Sequence, residues 1–99
     1  METEVRHDPE RSRYELVAEG RVIGRADYRT SGRLEVFHHT EIEPALQGRG
    51  LGAVLVRGAL DDVRRRGARI IPSCWYVAEY IAEHPDDADL VGQEERAAR

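Results

Sequence analysis

Apolar and polar residues alternate along three segments in the first part of the chain, and such alternation is typical of half-buried β-strands. The three segments are Tyr14–Ala18, Arg21–Arg29 and Arg33–Thr40. Short turns separate them, as at Glu19-Gly20, and strands joined in this way pair as an antiparallel meander. Gly24 indicates a bulge in the second strand. The residues through Arg13 show no period, and we expect a loose lead-in there.

The pattern changes at Glu41. The segment up to Pro44 stays extended, because the residue before a proline avoids the helical conformation. A four-residue spacing of apolar positions then predicts a helix, and these positions are Leu51, Leu55, Ala59 and Val63. Three arginines and Gly67 mark the end of this helix, since cations suit the negative pole and glycine suits the left-handed cap.

A short buried strand (Ala68–Pro72) and a second helix (Trp75 to about Glu83) complete the predicted elements. Counting the extended segment as the fourth strand, the order is β-β-β-β-α-β-α, a mixed α/β (α+β) fold with two helices. A chain of 99 residues holds one domain at most. We therefore expect a single domain over residues 1–99, with an ordered core of about 14–91.

Composition narrows the class of protein. No apolar run approaches the length of a membrane-spanning helix, and the amino end is charged, so we expect no membrane association and a cytoplasmic location. The formal net charge of −4 argues against a general nucleic-acid binder, which normally carries a basic excess. A single cysteine, Cys74, and four scattered histidines argue against both an internal disulfide and a metal site.

The densest chemical signal is the glycine-rich segment Gln47–Gly52, which opens the first helix. A helix N-terminus presents unpaired N–H groups and the positive end of the dipole, and both suit a phosphate or diphosphate. The alternative is a loop that only turns a corner. A Walker sequence is excluded because no Gly-Lys-Ser/Thr follows, and the dinucleotide-like spacing Gly48-x-Gly50-x-x-Ala53 does not follow a parallel strand as that fingerprint requires.

Gln47-x-x-Gly50-x-Gly52 at a helix start, after a meander and an extended segment, resembles the acetyl-CoA signature of the GNAT N-acetyltransferases. The closer resemblance is to a compact subgroup of small acetyltransferases, through His39-Thr40-Glu41 and Pro72-x-Cys74-x-Tyr76. It covers about residues 14–91. It implies a minimal GNAT-like fold whose mixed sheet splays between the strand ending near Glu43 and the strand near Ile70, with the pantetheine arm of acetyl-CoA in the gap.

The resemblance also implies a set of coenzyme-binding residues. The diphosphate would bind the main-chain N–H groups of residues 48–53, and Arg49 could reach a phosphate. Unpaired N–H groups near Ile42 could hold the thioester oxygen, since acyl transfer generally requires donors that stabilise the charge on this oxygen. The expected cofactor-binding residues are Ile42, Gln47, Gly48, Arg49, Gly50, Leu51, Gly52 and Ala53.

Four side chains are candidates for proton transfer or covalent catalysis. Cys74 opens the second helix, where the dipole favours the thiolate, and could be acetylated, protonate the leaving thiolate, or be only a buried apolar residue. Tyr76 could be a general acid or a packing residue. His39 and Glu41 share one strand face, and either could accept the proton of an ammonium unless both are only structural. His38, on the opposite face, is expected in the core.

These patterns predict an acetyl-CoA-dependent N-acetyltransferase that acts on an amine. Since no helices separate the first two strands, the acceptor side should be open, and the acceptor is either large, such as a protein amine, or used inefficiently. The alternatives are an acyl-CoA-binding module with little or no turnover, and an interaction domain that uses no cofactor. We expect a monomer or a weak homodimer.

Overall fold

Alternating side chains along the early strands build one five-stranded sheet in the computed structural model, which describes residues 1–93. The strands lie in the order β1-β2-β3-β4-β5, and only β4 and β5 are parallel. The elements are β1 (Thr3–Asp8), β2 (Arg13–Ala18), β3 (Arg21–Ser31), β4 (Leu34–Ile42), a 3₁₀ turn (Pro44–Leu46), α1 (Leu51–Arg65), β5 (Arg69–Pro72), α2 (Trp75–Glu83) and a second 3₁₀ segment (Pro85–Leu90).

The predicted fold class and element order are confirmed, but the strands are not the four that the pattern suggested. The residues before Arg13 are not a loose lead-in, since β1 pairs with β2 along its full length. The extended segment at Glu41 is the end of β4 and not a separate strand. The last six residues of the predicted domain lie outside the described residues.

The first strand escapes the sequence pattern because it is an edge strand with a single apolar residue, Val5. Val5 packs on α1 at Gly58, where an added Cβ would lie 2.5 Å from the Val5 side chain. His7, two residues on, stacks on Tyr14 with ring centroids 4.4 Å apart. The inner face of β1 thus consists of every second residue, namely Thr3, Val5 and His7. Only one of these side chains, that of Val5, is aliphatic.

The core lies between the sheet and the apolar stripe of α1. Leu55, Ala59 and Val63 are buried at the predicted spacing. The sheet contributes Tyr14, Leu16, Ala26 and Phe37 to the same cluster. Leu90 is buried, and Val91 forms a bridge with Ile70, so the segment after α2 packs against the sheet.

Two bulges interrupt the strand ladder. Leu16 pairs with Gly24 but Val17 pairs with Val22, which leaves Ile23 as an extra residue beside Gly24. On β4, His38 is the extra residue, since Asp27 pairs with His39 and Tyr28 with Phe37. The expectation that His38 lies in the core is wrong: the side chain is exposed at the bulge.

No helix among residues 1–93 combines the length and the apolar character needed to cross a bilayer.

Candidate functional site

The sheet opens where β5 ends. β4 and β5 are paired only over Leu34–Phe37 and Arg69–Pro72, so the last five residues of β4 continue without a parallel partner in the described chain. Glu43 N donates to Ile23 O at 2.8 Å, so the N–H of Glu43 points toward β3. The direction of the main-chain N–H and C=O groups alternates from one residue to the next along an antiparallel strand. The N–H and C=O of Ile42 therefore point away from β3 and toward this gap. The bulge at His38 sets this direction, because one extra residue inverts the alternation.

A cavity of about 410 Å³ occupies the gap between β4, the glycine loop and the start of α2. Its size lies within the range of small-molecule sites. Apolar side chains form much of its wall. The residues that line it are Thr40, Ile42, Leu46, Gln47, Gly48, Gly50, Leu51, Gly52, Trp75 and Tyr76.

The glycine loop presents bare main chain to the cavity. Gly48 and Gly50 have φ values of +83° and +75°, which side-chain-bearing residues rarely adopt. Within the described part of the chain, no hydrogen-bond acceptor meets the main-chain N–H groups of residues 48–53. The Gln47 side chain holds the loop against β4, since its Nε2 donates to Ile42 O at 3.0 Å. The loop therefore offers a row of N–H donors at the positive end of α1.

Tyr76 covers the first turn of α1 from the side of α2. A Cβ added at Gly52 would lie 2.6 Å from the Tyr76 hydroxyl oxygen and 2.8 Å from Cζ. Glycine at position 52 is therefore required by this ring, not by its own backbone angles. Burial raises the pKa of Tyr76, and the carboxylates of Glu79 and Glu83 raise it further, so the hydroxyl keeps its proton at neutral pH.

Cys74 lies directly behind the wall of the cavity. Its N–H donates to Phe37 O at 2.8 Å, which ties the start of α2 to the bulged part of β4. Its Sγ contacts Thr40 Oγ1 at 3.6 Å, and Thr40 lines the cavity. The thiol is buried and free.

His39 and Glu41 lie on the other face of β4. Their side chains alternate with those of Thr40 and Ile42, and neither lines the cavity. His39 Nε2 and Glu41 Oε1 are 3.0 Å apart, and Arg25 Nη2 lies 3.3 Å from the same oxygen. The hydrogen bond with His39 and the charge of Arg25 lower the pKa of Glu41. This carboxylate is consequently an anion at neutral pH.

The structure brings together most of the side chains and loop residues singled out from the sequence. Six of the eight expected cofactor-binding residues line the cavity, while Arg49 and Ala53 do not, and of the four catalytic candidates only Tyr76 does so. Sequence reasoning missed Thr40, Leu46 and Trp75 as lining residues. Trp75 carried no clear signal in the sequence, because tryptophan usually prefers burial, whereas in the structure this residue is 73% exposed.

Comparisons with known proteins agree with this geometry. The family model described as GCN5-related N-acetyl-transferase matches residues 13–90. Protein NATD1 from Mus musculus and from Homo sapiens are each 31% identical to this chain over 84 residues, which is 82% of this chain and 76% and 74% of those proteins.

Two solved structures share the fold. A GCN5-like N-acetyltransferase of Staphylococcus aureus, described as putative, has a TM-score of 0.67 at 18% identity, covering 97% of this chain and 94% of its own. N-acetylglutamate synthase of Neisseria gonorrhoeae, complexed with coenzyme A and N-acetyl-glutamate, has a TM-score of 0.54 at 21% identity, covering 73% and 18%. The extent of the family match, over most of the chain, decides the assignment: this chain belongs to the GCN5-related N-acetyltransferase (GNAT) family.

Proposed function

We propose that this protein transfers an acetyl group from acetyl-CoA to an amine. One observation carries the proposal: a row of main-chain N–H groups, without acceptors among residues 1–93, opens onto an apolar cavity at the start of α1, beside glycines in the left-handed conformation. Oriented N–H groups at a helix start favour a diphosphate. The apolar wall suits the arm of the same molecule. Family membership supports the same coenzyme class.

The residues of the loop and of β4 fit the two parts of coenzyme A. The N–H groups of residues 48–53 would hold the diphosphate, and the exposed Arg49 would approach a further phosphate. Ile42, Leu46 and Leu51 would enclose the pantetheine arm. When bound, the coenzyme supplies an acetyl group that is already activated as a thioester.

The chain itself would stabilise the developing charge on the acetyl oxygen. The N–H of Ile42 points into the gap and has no acceptor within the described residues. A fixed main-chain donor of this kind favours an oxyanion over a neutral carbonyl, and such donors contribute about 3 kcal/mol in acyl-transfer enzymes. We assign this role to Ile42 because its direction is fixed by the pairing of β4 with β3.

Cys74 is the proposed partner of the sulfur end of the site. Its thiol contacts Thr40, which lines the cavity. Two roles suit a thiol here: protonating the leaving thiolate, or accepting the acetyl group itself. A purely structural role is the third possibility, because the thiol is buried against Thr40.

His39 and Glu41 would act from the acceptor side of β4. On the side of β5, the edge of β4 beyond Phe37 has no neighbouring strand in the described sheet. An amine could therefore approach this edge from the open face of the sheet. The Glu41 carboxylate would attract an ammonium group, and its low pKa makes it a weak base. We assign proton acceptance to His39, because an imidazole is a common general base and its Nε2 lies 3.0 Å from Glu41 Oε1.

A binding module without efficient turnover is the second candidate function. It is favoured by the position of His39 and Glu41, which leaves Tyr76 as the ionisable side chain on the wall of the cavity. A protein of this kind would hold acyl-CoA without accelerating acetyl transfer.

One pair of measurements separates the two candidates. Trp75 is the single tryptophan of the chain and lies on the rim of the cavity, so its fluorescence reports binding there. We expect CoA to change this fluorescence in a saturable way, and acetyl-CoA to release free thiol when amines are added. Binding without thiol release across small amines and lysine peptides would favour the module. Unchanged fluorescence together with no heat of binding would refute both.

A separate experiment decides the role of Cys74. After incubation with acetyl-CoA, mass spectrometry of the intact protein and its peptides would show an added acetyl group on Cys74 if the thiol accepts it. Cys74→Ser keeps a small polar group, and a folded Cys74→Ser protein with full turnover would leave Cys74 only a structural role.

A further inference from the structure

The contact between Tyr76 and Gly52 places a hydroxyl at the head of α1. In a helix the Cα–Cβ bond tilts toward the N-terminus, so a Cβ at Gly52 would point back toward the start of α1. The Tyr76 hydroxyl lies 2.6 Å from that position. The hydroxyl therefore lies against the first turn of α1, and Tyr76 lines the same cavity as Gly48 and Gly50 of the glycine loop.

This hydroxyl has no hydrogen-bond partner among residues 1–93, although part of the ring is buried. The other tyrosine of α2 is different, because the Tyr80 hydroxyl accepts a hydrogen bond from Arg57 Nη1 at 3.4 Å. A partly buried hydroxyl that keeps its proton and has no acceptor among the described residues can donate a hydrogen bond to a bound ligand.

We propose that the Tyr76 hydroxyl donates a hydrogen bond to the diphosphate of coenzyme A, as a side-chain addition to the N–H groups of residues 48–53. The inference rests on the proposed function. It also separates Tyr76 from the chemistry, because the diphosphate and the sulfur of coenzyme A lie at opposite ends of the pantetheine arm. A hydroxyl beside the diphosphate cannot protonate the leaving thiolate, so under this proposal Tyr76 is a binding residue, which differs from both roles that the sequence left open, general acid and packing residue.

The same geometry explains position 52. Alanine there would displace the ring, since the nearest Tyr76 atoms are within 3 Å of the added Cβ. Gly52→Ala should therefore move the hydroxyl away from the loop without removing it, and this variant gives an independent route to the same effect.

The test compares Tyr76→Phe with the wild-type protein by calorimetric titration with three ligands: CoA, dephospho-CoA and pantetheine. A hydrogen bond to a charged group corresponds to about a tenfold change in affinity. We expect Tyr76→Phe and Gly52→Ala to bind CoA and dephospho-CoA about tenfold more weakly, with pantetheine unaffected. Tyr80→Phe is the matched control on the same helix and should bind all three as the wild type does.

Four results would overturn the inference. Equal losses for all three ligands would mean that the hydroxyl acts on the pantetheine part of the site and not on the diphosphate, and unchanged CoA affinity would mean that the hydroxyl makes no contact. A loss confined to CoA would move the contact to the 3′-phosphate. A lower kcat with unchanged KM for acetyl-CoA would return Tyr76 to the role of acid. If the wild-type protein itself fails to bind CoA, the proposed function fails first, which distinguishes the two claims.

Discussion

At the scale of single residues, the first two glycines of the loop depend on backbone conformation and not on packing. Gly48 and Gly50 have positive φ, and a Cβ at either position would meet no atom of the described residues within 4 Å. Gly52 is the reverse case, with ordinary φ and no room for a Cβ because of Tyr76. Two physical causes thus keep three neighbouring positions as glycine.

Gly50→Ala tests the first cause, and Gly32→Ala is its matched control, because Gly32 has a φ of +62° in open space away from the cavity. Each substitution should lower the free energy of unfolding by about 1–2 kcal/mol, the strain of a side chain in the left-handed region. Only Gly50→Ala should also weaken CoA binding, measured by Trp75 fluorescence. Equal CoA affinity in the two variants would contradict a role for this loop conformation in binding.

The sequence predicted the loop well because its signal is local: three glycines before an apolar helix indicate bare main chain. It could not predict which side chains meet there. Tyr76 reaches Gly52, and Cys74 reaches Thr40, only because the sheet brings distant segments together. The position of His38 depended on a bulge, which shifts a side chain without leaving a mark in the alternation.

At the scale of elements, the close approach of β1 and α1 is the part of the fold that the pattern left out. Gly58 lies in the middle of α1, where glycine is normally unfavourable, and Val5 of β1 occupies the space that a Cβ would need. Gly58 therefore leaves the space on α1 into which the edge strand β1 packs. The sequence does not show that Val5 and Gly58 form a pair, because their contact depends on the fold. The periodic apolar stripe of α1, in contrast, can be recognised from the sequence alone.

Gly58→Ala makes this pairing measurable. Helix propensity alone would stabilise the variant by about 1 kcal/mol. We expect net destabilisation by about 1–3 kcal/mol instead, because the added Cβ lies 2.6 Å from Val5 Cβ and must displace β1. Urea unfolding gives the value. In the Val5→Gly background the clashing atoms are gone, and there Gly58→Ala should be neutral or stabilising; the same loss in both backgrounds would exclude the contact as its cause.

At the scale of the whole molecule, ion pairs hold the segment after α2 onto α1. The side chain of Asp87 is 6% exposed and accepts from Arg57 Nη1 and Nη2 at 2.6 and 2.9 Å. Arg64 Nη2 adds a contact of 3.3 Å to the same carboxylate. These bonds position Leu90 in the core and Val91 against β5. Arg64, one of the three arginines that mark the end of α1, thus pairs with acids further along the chain.

Asp87 should make stability depend on pH. The hydrogen bonds from Arg57 lower its pKa, and this exceeds the opposing effect of burial. Since the pKa is lower in the folded state, the stabilisation is complete above the unfolded value of about 4 and is lost as the pH falls through the folded value. Asp87→Asn should cost about 2 kcal/mol at pH 7.

Thermal unfolding between pH 7 and pH 2 checks this expectation. The difference in Tm between wild type and Asp87→Asn should stay constant from pH 7 to about pH 5 and shrink below about pH 4. Asp86→Asn is the matched control, because Asp86 is exposed beside it, and should follow the wild type throughout. A difference that grows in acid would have the wrong sign for a depressed carboxyl pKa.

The binding of coenzyme A at the start of α1 is the claim on which the functional account rests, and amide chemical shifts measure it most directly. Titrating the ¹⁵N-labelled protein with CoA should move the amide signals of residues 48–53 and of Ile42 most strongly, while those near Gly32, at the far end of the sheet, stay in place. Saturable shifts that leave residues 48–53 unmoved, or no shifts at all, would contradict the account.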